Sequence, residues 1–504
     1  YSVSVSHGLC QFSPSGEYAL FGSGASATVV VVPGAEGDVP DLVELGLGGS
    51  DKVGEEATVA DNKKVVKRAG VARAGGKKRA AQPKRRKSMF TVVGRFSCYD
   101  SIDAVEWSHD SQYVLCAQYK RATVQVFSIH RKEWTCRIME GVAGLVNAFW
   151  APDGRHVLTT ADFQVHMTVW SLVDDSKHWT ISNPKLSSSH GHSFSHDGNF
   201  LAVATRRECK DGIQIYSTQR GDWKQLNRFN VASLDLEEIA WSPQNDAIVV
   251  RDSPLEYLFL VYSPSTGELI ARHQAYENAL GIKSMGWSPC GGFVAFGSYD
   301  EMCRIVSHVS WKSVCECDHS VPFTSNKVKV VKVGPLGVAP GIGANETEEN
   351  EADIANIPNA GTYKPRIVKP DSKKPFPRVG VGAMSWSFDS QFLATRNDNM
   401  PFNVWIWSPS QLEPVATLEF TSRVHSFKWS PCLLQLAVTT GESVAYMYDI
   451  RFPDVVNVCR AWEPTTAKDA TSSFWKHPTL GLRWNNTGDR LLLVSKNAAC
   501  FSQL

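Results

Sequence analysis

Few residues of this chain have types and spacings that catalysis or metal binding requires, and the clearest candidate is a short segment that could bind a metal ion. Cys315 and Cys317 are separated by one residue, and His319 follows two positions later. Thiolates and imidazoles bind zinc, but a structural zinc site needs four such ligands. No second pair lies nearby, and two thiols at this spacing share one face of a β-strand. We therefore favour an edge strand here and predict no metal site.

Other catalytic patterns are absent from the sequence. There is no glycine-rich phosphate loop ending in Gly-Lys-Ser or Gly-Lys-Thr, and there is no HExxH pair. His190 and His192 lie where a loop enters a predicted strand, which favours a turn role over metal ligation. We predict that the protein is not an enzyme and that it needs no cofactor and no small-molecule substrate. Four aspartates stand at predicted turns, where a carboxylate commonly caps the backbone: Asp162, Asp211, Asp300 and Asp398.

The strongest charge feature is a basic run between residues 63 and 87, which contains no acidic and no aromatic residue. Its densest part is the segment KKRAAQPKRRK. The cationic side chains of this segment are candidates for binding an acidic partner: Lys77, Lys78, Arg79, Lys84, Arg85, Arg86 and Lys87.

Three interpretations of the basic run remain open. It is a solvated disordered loop, a surface that binds dense anions, or an import-type address. Tubulin's acidic tails and nucleic-acid phosphates both fit the second interpretation, because Lys and Arg gain from counterion release on any dense polyanion. Base stacking is not favoured, since no aromatic side chain interleaves with the run. Because the run can still bind nucleic-acid phosphates, an RNA- or ribosome-associated propeller is the alternative function.

The elements that must position these residues follow from an internal repeat. An aromatic residue, a Ser-Pro or similar pair, a turn and an apolar run recur nine times, and five of the eight spacings lie between 43 and 47 residues. Within a unit, apolar residues alternate with small or polar ones, which is typical of strands with one buried face. The repeats start at Phe12, Trp107, Trp150, Phe194, Trp241, Trp287, Trp386, Trp429 and Trp484.

Repeats of this length with four strands each predict an all-β WD-repeat β-propeller. A small sheet with two apolar faces is covered only when neighbouring sheets stack on it and the ring closes. We predict about nine blades in one ring, with a seven- or eight-blade ring and one displaced unit as the alternative. The recurring tryptophans are then structural anchors that pack between blades: Trp107, Trp150, Trp241, Trp287, Trp386, Trp429 and Trp484.

Residues 1–504 are predicted to form a single propeller that is closed by its two ends. The last unit lacks a fourth strand, and the first residues, YSVSVS, can supply it. Two insertions without a core pattern interrupt the repeats, and we predict disorder in both. Residues 33–88 are an acidic and then basic insertion in blade 1. Residues 321–378 are a Gly-, Pro- and acid-rich insertion after the sixth repeat, and their NKVKVVKV part is expected to finish the preceding blade.

The totals of the chain favour a protein of the cell interior. Its 504 residues carry 52 basic and 51 acidic side chains, so net charge gives no global attraction to nucleic acid or membrane. The 12 cysteines are scattered, which fits reduced thiols better than a disulfide framework. No apolar run is long enough to span a bilayer, and no signal peptide is visible. The chain begins at Tyr1 without a methionine, so we expect its natural N-terminus to lie upstream.

Several long stretches resemble one family, the WRAP-type WD-repeat proteins of centrosomes, centriolar satellites and spindle poles. The resemblance rests on WSHDSQYVLCAQYKRATVQVFSI, AYENALGIKSMGWSPCGGFVAFGSYD and FLATRNDNMPFNVWIW, among others, and it covers nearly all nine repeats. The basic run is not covered by it.

The resemblance implies a non-enzymatic scaffold in the cytoplasm, located at the centrosome, the spindle pole or the ciliary basal body. The implied partners are a coiled-coil protein of the centrosome or satellites and a minus-end-directed kinesin, with tubulin or microtubules as a further candidate. The implied roles are anchoring of microtubule minus ends, spindle organisation and cilium assembly. No membrane partner is implied.

Overall fold

Short antiparallel sheets follow one another along the chain in the computed structural model, each built mainly from one repeat. The structure describes residues 2–5, 8–32, 91–319, 323–324, 328–333, 354–356, 362–371, 373–453, 455–460 and 478–503. We number the nine sheets that contain a repeat as blades 1 to 9. Apart from strands, the described residues form five single-turn 3-10 helices at Tyr119–Arg121, Gly141–Ala143, Asp162–Gln164, Ser189–Gly191 and Gln219–Gly221.

The first five blades each contain four consecutive strands. After β1 (Ser2–Ser4), blade 1 has β2 (Cys10–Phe12), β3 (Tyr18–Ser23), β4 (Ser26–Val31) and β5 (Val92–Ser97). Blade 2 has β6 (Ala104–Trp107), β7 (Tyr113–Gln118), β8 (Thr123–Ser128) and β9 (Thr135–Met139). Blade 3 has β10 (Asn147–Trp150), β11 (His156–Thr160), β12 (His166–Ser171) and β13 (His178–Ser182). Blade 4 has β14 (His192–Phe194), β15 (Phe200–Arg207), β16 (Lys210–Ser217) and β17 (Gln225–Asn230). Blade 5 has β18 (Glu238–Trp241), β19 (Ile248–Arg251), β20 (Phe259–Tyr262) and β21 (Leu269–His273).

The last four blades contain the remaining repeats and four short strands of the second insertion. Blade 6 has β22 (Ile282–Trp287), β23 (Phe293–Ser298), β24 (Met302–Ser307) and β25 (Ser313–Asp318). The insertion adds β26 (Phe323–Thr324), β27 (Lys329–Val333), β28 (Ile354–Asn356) and β29 (Thr362–Tyr363). Blade 7 has β30 (Val381–Trp386), β31 (Leu393–Asn397), β32 (Asn403–Ser408) and β33 (Glu413–Phe420). Blade 8 has β34 (Ser426–Trp429), β35 (Gln435–Thr439), β36 (Val444–Asp449) and β37 (Val456–Arg460). Blade 9 has β38 (Gly481–Trp484), β39 (Arg490–Val494) and β40 (Ala498–Gln503), with β1 as its fourth strand.

A serine turn after the first strand explains the aromatic-Ser pattern of the repeats. In blade 2, the hydroxyl of Ser108 accepts a hydrogen bond from the backbone N–H of Tyr113 at 2.9 Å and donates one to Asp110. Equivalent bonds are made by Ser195 in blade 4 and Ser387 in blade 7. Because each buried hydroxyl bonds a carboxylate within the turn and the backbone N–H that follows the turn, it fixes where the second strand begins.

The hydrophobic core is divided into nine clusters among the described residues, one at each junction between neighbouring blades. The cluster between blades 9 and 1 contains Phe12, Phe21 and Leu492, all buried. Full burial of such a side chain contributes roughly 1.5 to 3 kcal/mol. Within blade 9, β1 pairs antiparallel with β40, with Ser2 opposite Cys500. The predicted nine-blade ring closed by its two terminal strands is therefore confirmed.

The expected place of the NKVKVVKV segment was wrong. Blade 6 does not need it, because β25 follows β24 at hairpin distance and pairs with it as the outer strand. Instead, β27 pairs in parallel with β33, the outer strand of blade 7, with Val333 opposite Phe420. Val330, Val331 and Val333 are buried there. Blade 7 thus gains β27 as a fifth strand beside β33, and β28 adds a sixth.

The first insertion, residues 33–88, lies outside the described residues. The strands on either side of it are direct neighbours in blade 1, since Val30 of β4 stands opposite Val92 of β5. No helix in the described part of the chain is long and apolar enough to cross a membrane.

Candidate protein-interaction site

The tryptophans predicted as anchors lie at the ends of first strands, next to the preceding blade. Five of them are buried and two, Trp287 and Trp484, are half-buried. Aromatic residues of the preceding blade stack on several of them, as Tyr18 does on Trp107 at 6.4 Å between ring centroids. The buried ones are Trp107, Trp150, Trp241, Trp386 and Trp429.

Four of these indoles bind the preceding blade in the same way. Each donates its N–H to the backbone carbonyl just before the equivalent aromatic residue of that blade. Trp107 donates to Gln11 at 3.3 Å, and Trp386 donates to Gly286 at 3.1 Å. The inner edge of a first strand has no neighbouring strand, so these bonds satisfy carbonyls that would otherwise stay unpaired. The other two pairs are Trp150 with Glu106 and Trp484 with Lys428.

A carboxylate caps the inner edge of blade 3. Glu106, on the first strand of blade 2, accepts a hydrogen bond from the backbone N–H of Trp150 at 3.1 Å. Burial raises the pKa of the Glu106 carboxyl group to about 7, although the hydrogen bond from Trp150 opposes this effect. The hydroxyl of Ser193 plays the same part for the backbone N–H of Trp241, also at 3.1 Å. These contacts support the ring and do not form a catalytic pair.

The Cys315 fragment forms part of the outer strand of blade 6. Cys315 and Cys317 are buried on β25 with their Sγ atoms 3.8 Å apart. His319 is fully buried, and its Nε2 accepts a hydrogen bond from the hydroxyl of Thr395 at 2.7 Å. Burial lowers the pKa of His319 to about 4, so its ring is neutral at pH 7. Within the described ranges, no group of three or more His, Cys, Asp or Glu side chains could hold a metal ion.

An exposed apolar patch stands on one face of blade 3. We define the upper face of the ring by the loops that join successive blades and those that join second to third strands, because both emerge on the same side of an antiparallel blade. Val142 lies between β9 and β10, while Phe163 and Val165 lie between β11 and β12. Val142 is fully exposed, Phe163 is 89 % exposed and Val165 is 57 % exposed. We refer to these three residues as the blade 3 patch.

The two loops of the blade 3 patch are held together by close contacts. Gly144 has a φ of +72°, and an added Cβ there would lie 2.9 Å from the Cβ of Asp162. The Glu140 side chain, only 4 % exposed, accepts hydrogen bonds from the hydroxyl of Thr159 and the indole of Trp170. These contacts give the loops a fixed shape.

Backbone strain accompanies this fixed shape. Phe163 and Gln164 have φ values of 54° and 57°, in the left-handed region that such residues rarely occupy. Strained conformations persist only where the surrounding structure holds them, and they concentrate at binding sites. The strain and the exposure of Phe163 together mark blade 3 as a candidate docking surface.

A basic cleft lies on the upper face between blades 7 and 8, with a volume of about 620 Å³. One wall is the segment before β30, residues 363–371 and 373–378, which we name the strap. The other walls are the turn between β31 and β32 and the loop between β33 and β34. We refer to this site as the blade 7–8 cleft. Its charged lining consists of Lys369, Lys374, Arg378, Arg396 and Arg423, with the carboxylates Asp371 and Asp398.

The strap is fixed to blade 7 by its N-terminal part. The guanidinium of Arg366 lies 4.2 Å from the ring centre of Phe402 and donates to the carbonyl of Phe420 at 2.7 Å. The hydroxyl of Tyr363 donates to Glu419 at 3.0 Å. The wall of the blade 7–8 cleft is therefore formed before any ligand arrives.

The basic segment 77–87, which holds all seven predicted anion-binding residues, lies outside the described residues. The blade 3 patch and the blade 7–8 cleft were not predicted from the sequence. The patch joins two loops of neighbouring strands in one repeat, and the cleft joins the strap to loops that come later in the chain. The one signal in the sequence is an apolar residue inside a short turn-like segment, as in GVAG and ADFQ.

A closed ring of nine blades, each built on four antiparallel strands, is the architecture of the class of WD-repeat β-propellers. Proteins of this class generally act as non-catalytic scaffolds that bind other proteins. The chain matches no protein-family model.

One relative places the chain within this class. WD repeat-containing protein WRAP73 of Mus musculus is 39% identical over 422 residues, which cover 81% of this chain and 86% of that protein. The chain belongs to the WRAP73 family of WD-repeat proteins, and the resemblance inferred from the sequence is confirmed.

Two further proteins are similar to the chain. An uncharacterized WD repeat-containing protein of Schizosaccharomyces pombe is 22% identical over 287 residues, which cover 56% of this chain and 55% of that protein. Among solved structures, the C-terminal WD40 domain of Sif2 aligns with a TM-score of 0.47 and 10% identity, covering 100% of this chain and 97% of that chain.

Proposed function

We propose that the protein is a non-enzymatic scaffold that docks a coiled-coil partner on the blade 3 patch. The observation that carries the proposal is the exposure of Val142 and Phe163 on loops that are held rigid by buried contacts. Large apolar side chains presented in this way lose little conformational entropy on binding, so they are suited to anchor an interface. Membership of the WRAP73 family supports a protein-interaction role.

The occupant proposed for the blade 3 patch is one amphipathic helix of the coiled-coil partner. Such a helix presents apolar side chains at i, i+3 and i+7, and the exposed Phe163 side chain of the patch can pack between them. The patch is small, so it contributes an anchor and not the whole interface.

The proposed role in the cell rests on the resemblance of the sequence to the WRAP-type WD-repeat proteins. The scaffold joins its coiled-coil partner to a minus-end-directed kinesin at the centrosome, the spindle pole or the ciliary basal body. It thereby anchors microtubule minus ends, organises the spindle and supports cilium assembly. Tubulin is the partner proposed for the basic segment 77–87.

The test uses a variant with Val142→Asp and Phe163→Asn, in which Asn tolerates the left-handed backbone of position 163. The matched control carries Val173→Asp and Val309→Asp, two exposed valines on the opposite face of the ring. We expect the first variant to lose capture of centrosomal coiled-coil proteins and pole localisation of a tagged chain in dividing cells. We expect the control to keep both.

Two outcomes contradict the proposal. Recovery of the coiled-coil partner with both variants alike shows that it docks elsewhere. Recovery of no coiled-coil, motor or centriolar protein by the native chain removes the scaffold role at the pole.

A further inference from the structure

We propose that the blade 7–8 cleft binds an acidic peptide segment of a partner protein. This site is separate from the blade 3 patch, since the two lie four blades apart in either direction around the ring. It goes beyond docking of a coiled coil, because it recognises charge instead of an apolar stripe.

The cations of the cleft are available for a ligand. Lys369, Lys374, Arg378 and Arg423 are exposed, and none has an ion-pair partner among the described residues. They stand beside each other although the chain as a whole carries a formal net charge of only +1. Cations gathered in a concave site raise the local concentration of anionic ligands and speed their binding.

The two carboxylates of the cleft are already engaged. Asp398 pairs with Lys283 and, at 3.3 Å, with Arg396. The carboxylate of Asp371 accepts a hydrogen bond from the backbone N–H of Lys373 at 3.1 Å. With both carboxylates counted, the five Lys and Arg side chains of the lining still leave an excess of three positive charges (5 − 2), which an acidic ligand can balance.

The shape of the cleft suits a peptide. Its volume of about 620 Å³ falls in the usual range of preformed ligand sites. Apolar groups of Val368, Pro401 and Val424 form part of the lining, so the methylene groups of Glu side chains can pack there while their carboxylates reach the cations. Arg396 is held in place by the carbonyl of Val424, to which it donates at 2.8 Å.

A peptide fits this lining better than a nucleic acid. The lining contains no Phe, Tyr or Trp side chain and a single imidazole, that of His425, whereas proteins that bind single strands use a series of aromatic rings for base stacking. Carboxylates need only the cations and backbone groups that the cleft supplies.

The test measures the fluorescence anisotropy of a short fluorescein-labelled, glutamate-rich peptide titrated with the full chain. The cleft variant carries Lys374→Glu and Arg423→Glu. The matched control carries Arg207→Glu and Lys210→Glu, two exposed cations on the upper face of blade 4 without ion-pair partners among the described residues. Every protein keeps the basic segment 77–87, so differences between them report on the cleft.

We expect the cleft variant to bind the peptide at least about tenfold more weakly than the native chain, and the control to stay within about twofold. The affinity of the native chain should fall as ionic strength rises through the physiological range. Equal thermal unfolding of the three proteins shows that the fold is kept. The variant with Val142→Asp and Phe163→Asn should retain native affinity for the peptide, which separates this site from the proposed docking of the coiled coil.

Three results overturn the proposal. The first is no measurable binding of the peptide by the native chain. The second is an equal loss of affinity in the cleft variant and the blade 4 control, which indicates unspecific attraction. The third is a single-stranded oligonucleotide that binds more tightly than the peptide and loses affinity only in the cleft variant, which assigns the cleft to nucleic acid.

Discussion

Glu106→Gln is expected to remove a pH dependence of stability that the native chain carries. Burial raises the pKa of the Glu106 carboxyl group from 4.5 to about 7 in the folded state. Between these values the folded chain binds more protons than the unfolded chain, so native stability falls as pH rises from about 4.5 to about 7. Glutamine stays neutral and can still accept the hydrogen bond from the backbone N–H of Trp150.

The size of the effect follows from the two pKa values. Their difference corresponds to at most on the order of 3 kcal/mol, of which roughly 2 to 3 kcal/mol develops between pH 5 and pH 8. Unfolding entropies average about 2.1 cal/mol/K per residue, which gives roughly 1 kcal/mol/K for a chain of this length. The native Tm should therefore fall by about 2 to 3 °C more than the Tm of the variant between these pH values.

The assay is thermal unfolding followed by circular dichroism at pH 5 and pH 8, with native chain and variant side by side. Glu208→Gln, at an exposed turn of blade 4, serves as the control and should follow the native chain. Other titrating groups are shared by all three proteins, so they cancel in the comparison. A Tm difference between native chain and Glu106→Gln that stays constant with pH would refute the reasoning.

Three further predictions test the ring and the basic run. Trp386→Phe should lower the free energy of unfolding by about 1 kcal/mol more than Trp241→Phe does, as measured by denaturant titration. The reason is that the indole N–H of Trp386 has a hydrogen-bond acceptor and that of Trp241 has none. Equal losses would show that the indole hydrogen bonds do not contribute to stability. The His319 ring should stay neutral down to about pH 5 in NMR titrations, since burial lowers its pKa to about 4; titration near pH 6.5 would contradict its burial. If the chain binds RNA through the basic run, the logarithm of its RNA affinity should fall with the logarithm of salt concentration. Neutralising Lys84, Arg85, Arg86 and Lys87 should make this slope shallower by about 3. An unchanged slope would remove the RNA alternative.

The architecture could be predicted because its signals are local. The aromatic-Ser turn marks the end of each first strand, and Ser108 shows why, since its hydroxyl bonds Asp110 within the turn and the backbone N–H of Tyr113 after it. Closure of the ring could be predicted because the last unit has only three strands, and the first residues of the chain form a strand that completes it. The place of β27 could not be predicted, because an alternating valine strand fits any apolar edge. Its parallel pairing with β33 joins Lys329 to Ala416, far apart in the chain.

The two candidate surfaces could not be predicted from the sequence, because they too depend on tertiary structure. Val142 and Phe163 are ordinary apolar residues in the sequence, and only the folded loops show that they point away from the core. The blade 7–8 cleft combines Lys369 and Lys374 of the strap with Arg423 of a later loop. No window of sequence contains all three, so charge patterning along the chain does not reveal the site.

The pairing of β1 with β40 also has a consequence for folding during synthesis. The ribosome moves at about 5 to 20 residues per second, so it needs roughly 25 to 100 seconds to pass from Ser2 to its partner Cys500. During that interval β1 cannot form its pairing in blade 9, and unpaired strand edges are where aggregation begins and chaperones bind. A product that terminates before Ala498–Gln503 leaves β1 without this partner and the ring without its closing contact.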